Sequence, residues 1–468
     1  MGGKSMANKS IREGVSMQNL NQPVDGTGKK GKKGRFTKQE LSWMFYDWAN
    51  STYATNIMAA IFPIYFVNVC APLGQNFGTQ MWGFGTALAT IIVALLAPLL
   101  GAIGDYKGMK KKMLSFFLFL GVTFTFTMAI TDNWKMMLVG YVVSYIGFMG
   151  GNLFYDSFLT DVTTPDRMDK VSSFGYAMGY LGGSTIPFFL SIGVLMYLGM
   201  DNPLGVKIAV VITTLWWGVF SIPILLNVHQ KHYLEIPAKS LVNKTFSSIW
   251  RTFKSIFNNK GLFVFVLAYF FYIDGVNTVI NLATSYGKTL GLDTTGMIMA
   301  LLVTQLVAVP FSILFSFFAQ KVGSIRMILI AVCAYVVICM VGFYMGLMVE
   351  GAGAQTSGNN ELYQTTIAHA QTLFWMMAFM VGMVQGGIQA LSRSYFGKLI
   401  PAERSNEYFG FFDVFGKFAA VMGPLLYSIV LLITHSAAWG IASISLLFLT
   451  AMIILITGRK VLLTAEKM

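Results

Sequence analysis

Twelve apolar runs divide the sequence, at about 42–70, 80–103, 113–131, 135–158, 172–199, 205–227, 262–285, 295–318, 327–349, 367–391, 407–434 and 437–458. Each is close to the ~20 residues that a helix needs to cross a bilayer. The pattern predicts an all-α polytopic membrane protein with twelve transmembrane helices. The longest connection on the side of the N-terminus, His229 to Lys260, falls between the sixth and seventh runs. The expected organisation is a disordered basic tail over 1–40, a six-helix bundle over 41–228, a linker over 229–261, a second six-helix bundle over 262–458 and a short tail over 459–468.

The polar residues inside the runs carry the next piece of information. A carboxylate within a span costs several kcal/mol, so it is retained for a reason. Asp47, Asn50 and Ser51 open the first run with a D-x-x-N-[ST] pattern, and Asp274, Asn277 and Thr278 repeat it in the first run of the second half. The loop after run two, Gly101 to Lys111, has a decayed counterpart after run eight, Ala319 to Arg326. Likewise Pro165-Asp166-Arg167 leading to Phe174-Gly175-Tyr176 is matched by Pro401 to Arg404 leading to Phe409-Gly410-Phe411. These correspondences keep their order, so the chain reads as two six-helix pseudo-repeats, an architecture in which substrate and ion sites lie between the halves near the midplane. The first helix of each half would then line the central cavity, with Asp47 and Asp274 pointing inward from opposite sides at depths of about six and about thirteen residues into their runs. Asp274, the deeper in its run, is the expected proton carrier, while Asp47 and Asn50 fall to substrate binding or gating. Trp48, Tyr53 and Tyr272 share those helices and would either line the cavity or pack.

Composition agrees with the pattern. Hydrophobic residues make up 55% of the chain and charged residues 11%, with a mean hydropathy of +0.63, too apolar for a soluble domain. Of the 33 lysines and arginines, only Lys135, Lys207 and Lys288 fall in loops on the far side, and Lys417 lies inside a run. The positive-inside bias places both termini in the cytoplasm of a cell (inner) membrane. Topology therefore accounts for the net charge of +13, and nucleic acid is not an expected partner. Cys70, Cys333 and Cys339 have no paired spacing, so neither a disulfide framework nor a metal site is expected. No P-loop, H-E-x-x-H or G-x-S-x-G pattern occurs, which speaks against an enzyme, and no cofactor is called for.

Other positions have sharper and blander readings. Asp105 ends the second run in a basic loop, where a carboxylate can hold a neighbouring helix N-terminus while an inner gate is shut. The alternative is a loop acid salted by Lys107 and Lys110. Asp413 and Lys417, four apart, share one helix face, either as a structural pair or as part of an anion-binding site. Arg393 sits at the inner end of its run as a gate or headgroup residue, and Asp156 is a potential partner for Arg167 or Arg393. Gly175, Gly179 and Gly183 have small-xxx-small spacing, which favours close helix packing. In the linker, Phe246, Ile249, Trp250, Phe253, Ile256 and Phe257 recur at helical spacing among basic residues. That helix would lie in the membrane interface or cap the inner face of the bundle. The histidines receive no role.

The loop Gly101-Ala-Ile-Gly104-Asp105-Tyr-Lys107-Gly108-Met-Lys110-Lys111 resembles the G-x-x-x-D-x-x-G-x-[RK]-[RK] signature of the major facilitator superfamily, departing from it at Tyr106. Within that superfamily, Tyr46 to Ser51, Tyr272-Ile273-Asp274-Gly275, the run Gly386-Gly387-Ile388-Gln389-Ala390-Leu391-Ser392-Arg393-Ser394 and Gly423-Pro424 resemble the vacuole-effluxer branch, which includes fungal autophagy-linked amino-acid exporters. The resemblance implies a major facilitator fold and a secondary active transporter, working as a monomer by alternating access. It also implies that Gly101, Asp105, Gly108, Lys110 and Arg393 serve gating, with the start of the eleventh helix as the partner of Asp105. Gln389 joins Asp47, Asn50, Ser51, Tyr53, Asp274, Asn277, Thr278, Asp413 and Lys417 as candidate substrate- or proton-binding residues. The expected activity is proton-coupled movement, in the efflux direction, of a small polar solute such as an amino acid. A lipid translocator or a non-transporting membrane sensor of the same fold is the alternative.

Overall fold

The computed structural model describes residues 35–74, 76–199, 202–235, 241–355 and 361–465. The expected tail therefore lies almost wholly outside the described residues, as do 236–240 of the linker. Among the described residues, twelve helices are long and apolar enough to cross a membrane. Before the linker these are span 1 (Lys38–Leu73), span 2 (Phe77–Gly104), span 3 (Met109–Ala129), span 4 (Trp134–Val162), span 5 (Met168–Leu198) and span 6 (Pro203–Asn227). After it come span 7 (Lys260–Thr289), span 8 (Thr295–Val322), span 9 (Ser324–Ala352), span 10 (Tyr363–Leu399), span 11 (Ala402–Thr434) and span 12 (Ala437–Thr457). Each overlaps one predicted run, and most extend it by a turn or more because polar residues such as Lys38, Glu40 and Asn406 continue the helix beyond its apolar stretch.

Spans 1 and 5 are interrupted by widened, π-type turns at Tyr53–Ala60 and Gly179–Thr185, each running up to a proline, Pro63 and Pro187. Proline supplies no N–H and crowds the preceding turn, and a widened turn is one way for a helix to absorb the mismatch. The two spans pack closely there. A Cβ on Gly179 would meet the Ser51 hydroxyl at 2.8 Å, and one on Gly175 would meet the Asp47 carboxylate at 2.7 Å. The glycine spacing thus serves helix contact, as its sequence suggested.

The linker divides into two parts. Residues 229–235 dock on the loop after span 2: Leu234 N–H donates to the Asp105 carbonyl at 2.8 Å, and Lys107 N–H donates to the Leu234 carbonyl at 3.1 Å. The second part is a helix, Leu241–Asn258. Ile256 is buried, and the Tyr408 hydroxyl of span 11 donates to Ser255 at 3.0 Å. Trp250 and Phe257 remain exposed. The helix therefore packs one face on the bundle, as one of its two sequence readings expects, and leaves Trp250 and Phe257 on the outside.

Candidate functional site

Arg393 is the residue on which the two halves meet. It leaves span 10 six residues before its end and enters the first half. Its Nη1 donates to Asp156 at 2.9 Å, its Nη2 lies 3.3 Å from Asp47, and Ser172 accepts from Nε through its hydroxyl at 2.9 Å and from Nη2 through its carbonyl at 3.1 Å. Three aromatic faces enclose the guanidinium, with Tyr176, Trp43 and Tyr155 ring centres 4.5, 4.7 and 5.3 Å away. The Tyr155 hydroxyl donates to Asp47 at 2.6 Å, and Trp43 stacks on Tyr155 while its indole N–H donates to the Tyr155 carbonyl. A planar, permanently charged group with five donors suits such a cage, and lysine could not satisfy it. Asp47 and Asp156 retain side-chain exposures of 13% and 31%, against 4% for Arg393, so water reaches the acids but not the cation they hold.

The Asp413–Lys417 ion pair of span 11 belongs to the same site. Span 11 packs against span 4, the helix that carries Asp156 and Tyr145. Gln389 lies one helical turn before Arg393 on the same face of span 10 and is partly exposed. The site therefore holds the carboxylates Asp47, Asp156 and Asp413 against the cations Arg393 and Lys417, one negative charge in excess when all are ionised.

Other residues of the D-x-x-N-[ST] repeats occupy different places. Asn50 bonds Asn152 of span 4, and Ser51 lies against Gly179 and Gly183. Tyr53 does not line the cleft: it is fully buried in the first half, its hydroxyl on Ser144 at 2.7 Å and its ring against Phe148 and Trp217. Asp274 is not brought to Asp47. It is fully buried against span 11, accepting from the Gly423 N–H at 3.0 Å and the Thr278 hydroxyl at 3.4 Å, while its Oδ2 has no hydrogen-bond partner. Gly423 permits that approach, since a Cβ there would lie 3.0 Å from Asp274 Oδ1 and closer still to the Thr278 hydroxyl. Asn277 is partly exposed. The pattern repeats in sequence, but the second copy turns its acid toward a neighbouring helix of its own half.

Two seals join the halves on the face that carries the linker. At the first, Asp105 accepts from Asn406 N–H and Nδ2 at 2.9 Å each and from Glu407 N–H at 3.0 Å. This carboxylate sits on the buried N–H groups that open span 11, where backbone donors and the helix dipole favour an anion. Burial pushes the Asp105 carboxyl from 3.8 up to about 7, opposed by Lys110 and by the Asn406 and Glu407 donors. Gly101 and Gly410 allow the contact: a Cβ on Gly101 would run into the Asn406 carbonyl, and one on Gly410 would lie 2.7 Å from the Ala97 carbonyl. Gly108 is needed for its backbone, with a φ of 72°, a region open to few other residues.

Neither Lys107 nor Lys110 bonds Asp105, contrary to the bland reading. Lys107 lies 3.6 Å from Glu235 at the surface. Lys110 is fully buried and donates to Asp161 at 2.7 Å, to Ser405 at 2.8 Å and to the Ser157 carbonyl at 3.3 Å. The second seal was not foreseen. Asp169 at the start of span 5 accepts from Ser394 at 2.6 Å, Lys398 at 2.7 Å and Ser324 at 2.8 Å. Its signal was an acid at a span end opposite a serine- and lysine-bearing span end, too common a pattern to single out. Arg167 pairs with Glu40 of span 1 at 2.7 Å, which leaves Asp156 to Arg393. His232, given no role from sequence, places Nδ1 3.1 Å from Asp161.

This geometry can be set beside known proteins. A family model described as "Vacuole effluxer Atg22 like" matches residues 80–168 and 160–459. The uncharacterized MFS-type transporter YxiO of Bacillus subtilis (strain 168) is 40% identical over 430 residues, covering 90% of this chain and 95% of that protein. Autophagy-related protein 22 of Saccharomyces cerevisiae (strain ATCC 204508 / S288c) is 21% identical over 428 residues, covering 81% of this chain and 77% of its own. Among solved structures, a bacterial homologue of the iron transporter ferroportin in an outward-facing state superposes with a TM-score of 0.64 at 12% identity, over 90% of this chain and 98% of that one. The major facilitator superfamily transporter FucP in its outward conformation gives 0.63 at 12% identity, over the same shares. These structures establish the major facilitator fold, and the chain belongs to the vacuole effluxer Atg22-like family of MFS-type transporters.

Proposed function

We propose that this protein is a secondary active transporter that couples proton movement to the passage, in the efflux direction, of a small zwitterionic solute such as an amino acid. The observation that carries the reading is Arg393, a cation of one half held by Asp47 and Asp156 of the other. A solute carboxylate can compete for Arg393 or Lys417, while its ammonium group suits the carboxylates left behind. The excess negative charge leaves room for one proton. Protonating Asp47 or Asp156 weakens their hold on Arg393, so proton binding, solute binding and separation of the halves draw on the same contacts. Only contacts that differ between two states can shift their populations.

Asp274 serves this scheme as a second proton-accepting position. It is a carboxyl group within a span, fully buried, with one oxygen unpartnered, and a bare charge is costly there. The Asp105 and Asp169 seals act as the gate on the linker side, which the distribution of basic residues assigns to the cytoplasm. The alternating-access cycle then consists of breaking these seals while the opposite side closes.

The test is a thermal-shift screen of the purified protein against zwitterionic, anionic and cationic solutes. A solute that binds the folded state stabilises it by RT ln(1 + [L]/Kd). At least one amino acid should raise the melting temperature of the wild type, and Lys417→Gln should diminish that shift. Stabilisation by hydrophobic amines alone, with no response to any zwitterion, would contradict the assignment of substrate class.

A further inference from the structure

Outside the central site, the structure contains a cavity of about 760 Å³ at the linker-side end of span 3. Its rim carries Lys107, Lys111, Lys112 and His229, and its lower wall is formed by Phe116 and Phe119. Those two rings belong to the outer surface of a membrane span, with exposures of 56% and 70%. The cavity therefore opens both to the aqueous side, where its cations are, and to the lipid, where its aromatic wall continues. Glu235, 3.6 Å from Lys107 and itself 76% exposed, is the carboxylate paired with this rim. It offsets one cation and leaves the cluster basic.

We propose that this cavity binds an anionic phospholipid, its phosphate among Lys107, Lys111 and Lys112 and its acyl chains along Phe116 and Phe119. Charge complementarity selects the phosphate, and continuity with the lipid-facing surface of span 3 selects a lipid over free phosphate. Basic pockets beside spans on the side with anionic headgroups have the chemistry for this.

The position gives the lipid a consequence. Gln230, also on the cavity wall, donates to the Gly104 and Asp105 carbonyls at 3.1 and 3.4 Å and accepts from Lys110 N–H at 3.4 Å. The segment bearing His229 and Tyr233 continues into Leu234, which pairs with the backbone of Asp105 and Lys107. A phosphate bridging Lys107 and Lys111 to His229 would tie this segment to the loop that presents the gate carboxylate. Bound lipid would then favour the sealed arrangement.

The test is displacement of a fluorescent phosphatidylglycerol from the purified full chain, and it does not depend on whether the protein transports anything. Wild type should bind phosphatidylglycerol in preference to phosphatidylcholine, and each Lys→Gln change at 107, 111 or 112 should weaken binding about fivefold. Phe119→Ser should weaken the lipid while leaving any displacement by inorganic phosphate unchanged. If the lysine variants do not fold, wild type in about 1 M salt, where charge is screened within ~3 Å, should release the lipid. Equal binding of the two lipids, undiminished binding in the lysine variants or in high salt, or full displacement by an equal concentration of inorganic phosphate would each overturn the proposal.

Discussion

Gly101 and Asp105 join the end of span 2 to the start of span 11 through two positions, one of them without a side chain. Gly101→Ala places a methyl group against the Asn406 carbonyl, and overpacking of this kind costs about 1–3 kcal/mol. Because the clash exists only while spans 2 and 11 touch, it should favour the state open on the linker side by roughly 5- to 150-fold. Spin-label distances between the ends of spans 2 and 11 should lengthen, and unchanged distances would remove the pair from the gate. Asp105 makes the same seal sensitive to pH. Its carboxyl stands at about 7 when sealed and falls toward the ordinary carboxylate value once water reaches it. The sealed state therefore holds its proton more tightly, so lowering the pH through this range favours sealing and raising it favours opening. Asp105→Asn, measured by the same distances between pH 5 and 8, should flatten that response. The partner of Asp105 was legible through the resemblance carried by the Gly101–Lys111 loop, whereas the residues alone also allowed Lys107 and Lys110. The placement of Tyr53 and Asp274 was not, because depth along a run does not reveal helix rotation. The π-type turn at Tyr53–Ala60 and the close approach at Gly423 set that rotation.

The linker helix packs against the opening of span 11 and leaves aromatic residues exposed. Its Phe253 ring lies 6.0 Å from Phe411, and Ser255 accepts from Tyr408, both on the opening turns of span 11 that Asp105 holds. Trp250 stacks on Phe253 with ring centres 5.7 Å apart and is 69% exposed. An exposed tryptophan beside basic residues at the end of a bundle belongs at the headgroup level. Brominated lipids should therefore quench a component of the tryptophan fluorescence that is absent in Trp250→Phe. Identical quenching of the two proteins would place the helix away from the bilayer. The helical periodicity of this segment was readable, whereas its choice between membrane and bundle was not, because the sequence gives no partner for either face.

At the scale of the molecule, a pseudo-duplicated chain has become asymmetric in its ion pairs. The first half supplies Asp47, Asp105, Asp156 and Asp169, and the second answers with Arg393, Lys398 and the opening turn of span 11. This division was only partly visible in the repeats, since they predict equivalent places for equivalent residues and say nothing about which half keeps the charge. The twelve spans were legible because apolar length is a property of the sequence itself, and the fold through the resemblance carried by the Gly101–Lys111 loop. Orientation is tested in a cysteine-free background. A cysteine at Asp132, 75% exposed at its side chain between spans 3 and 4, should react with an impermeant reagent from outside the cell, while one at Glu235, 76% exposed, should react only after permeabilisation. The reverse pattern would invert the topology. The most direct test of the central claim is accumulation of radiolabelled amino acids in proteoliposomes under an imposed pH gradient. Wild type should concentrate at least one of them, a protonophore should abolish the concentration, and Asp47→Asn with Asp156→Asn should lose it. Accumulation by that double variant with an undiminished response to the gradient, or a wild type whose solute flux ignores the gradient, would contradict the account.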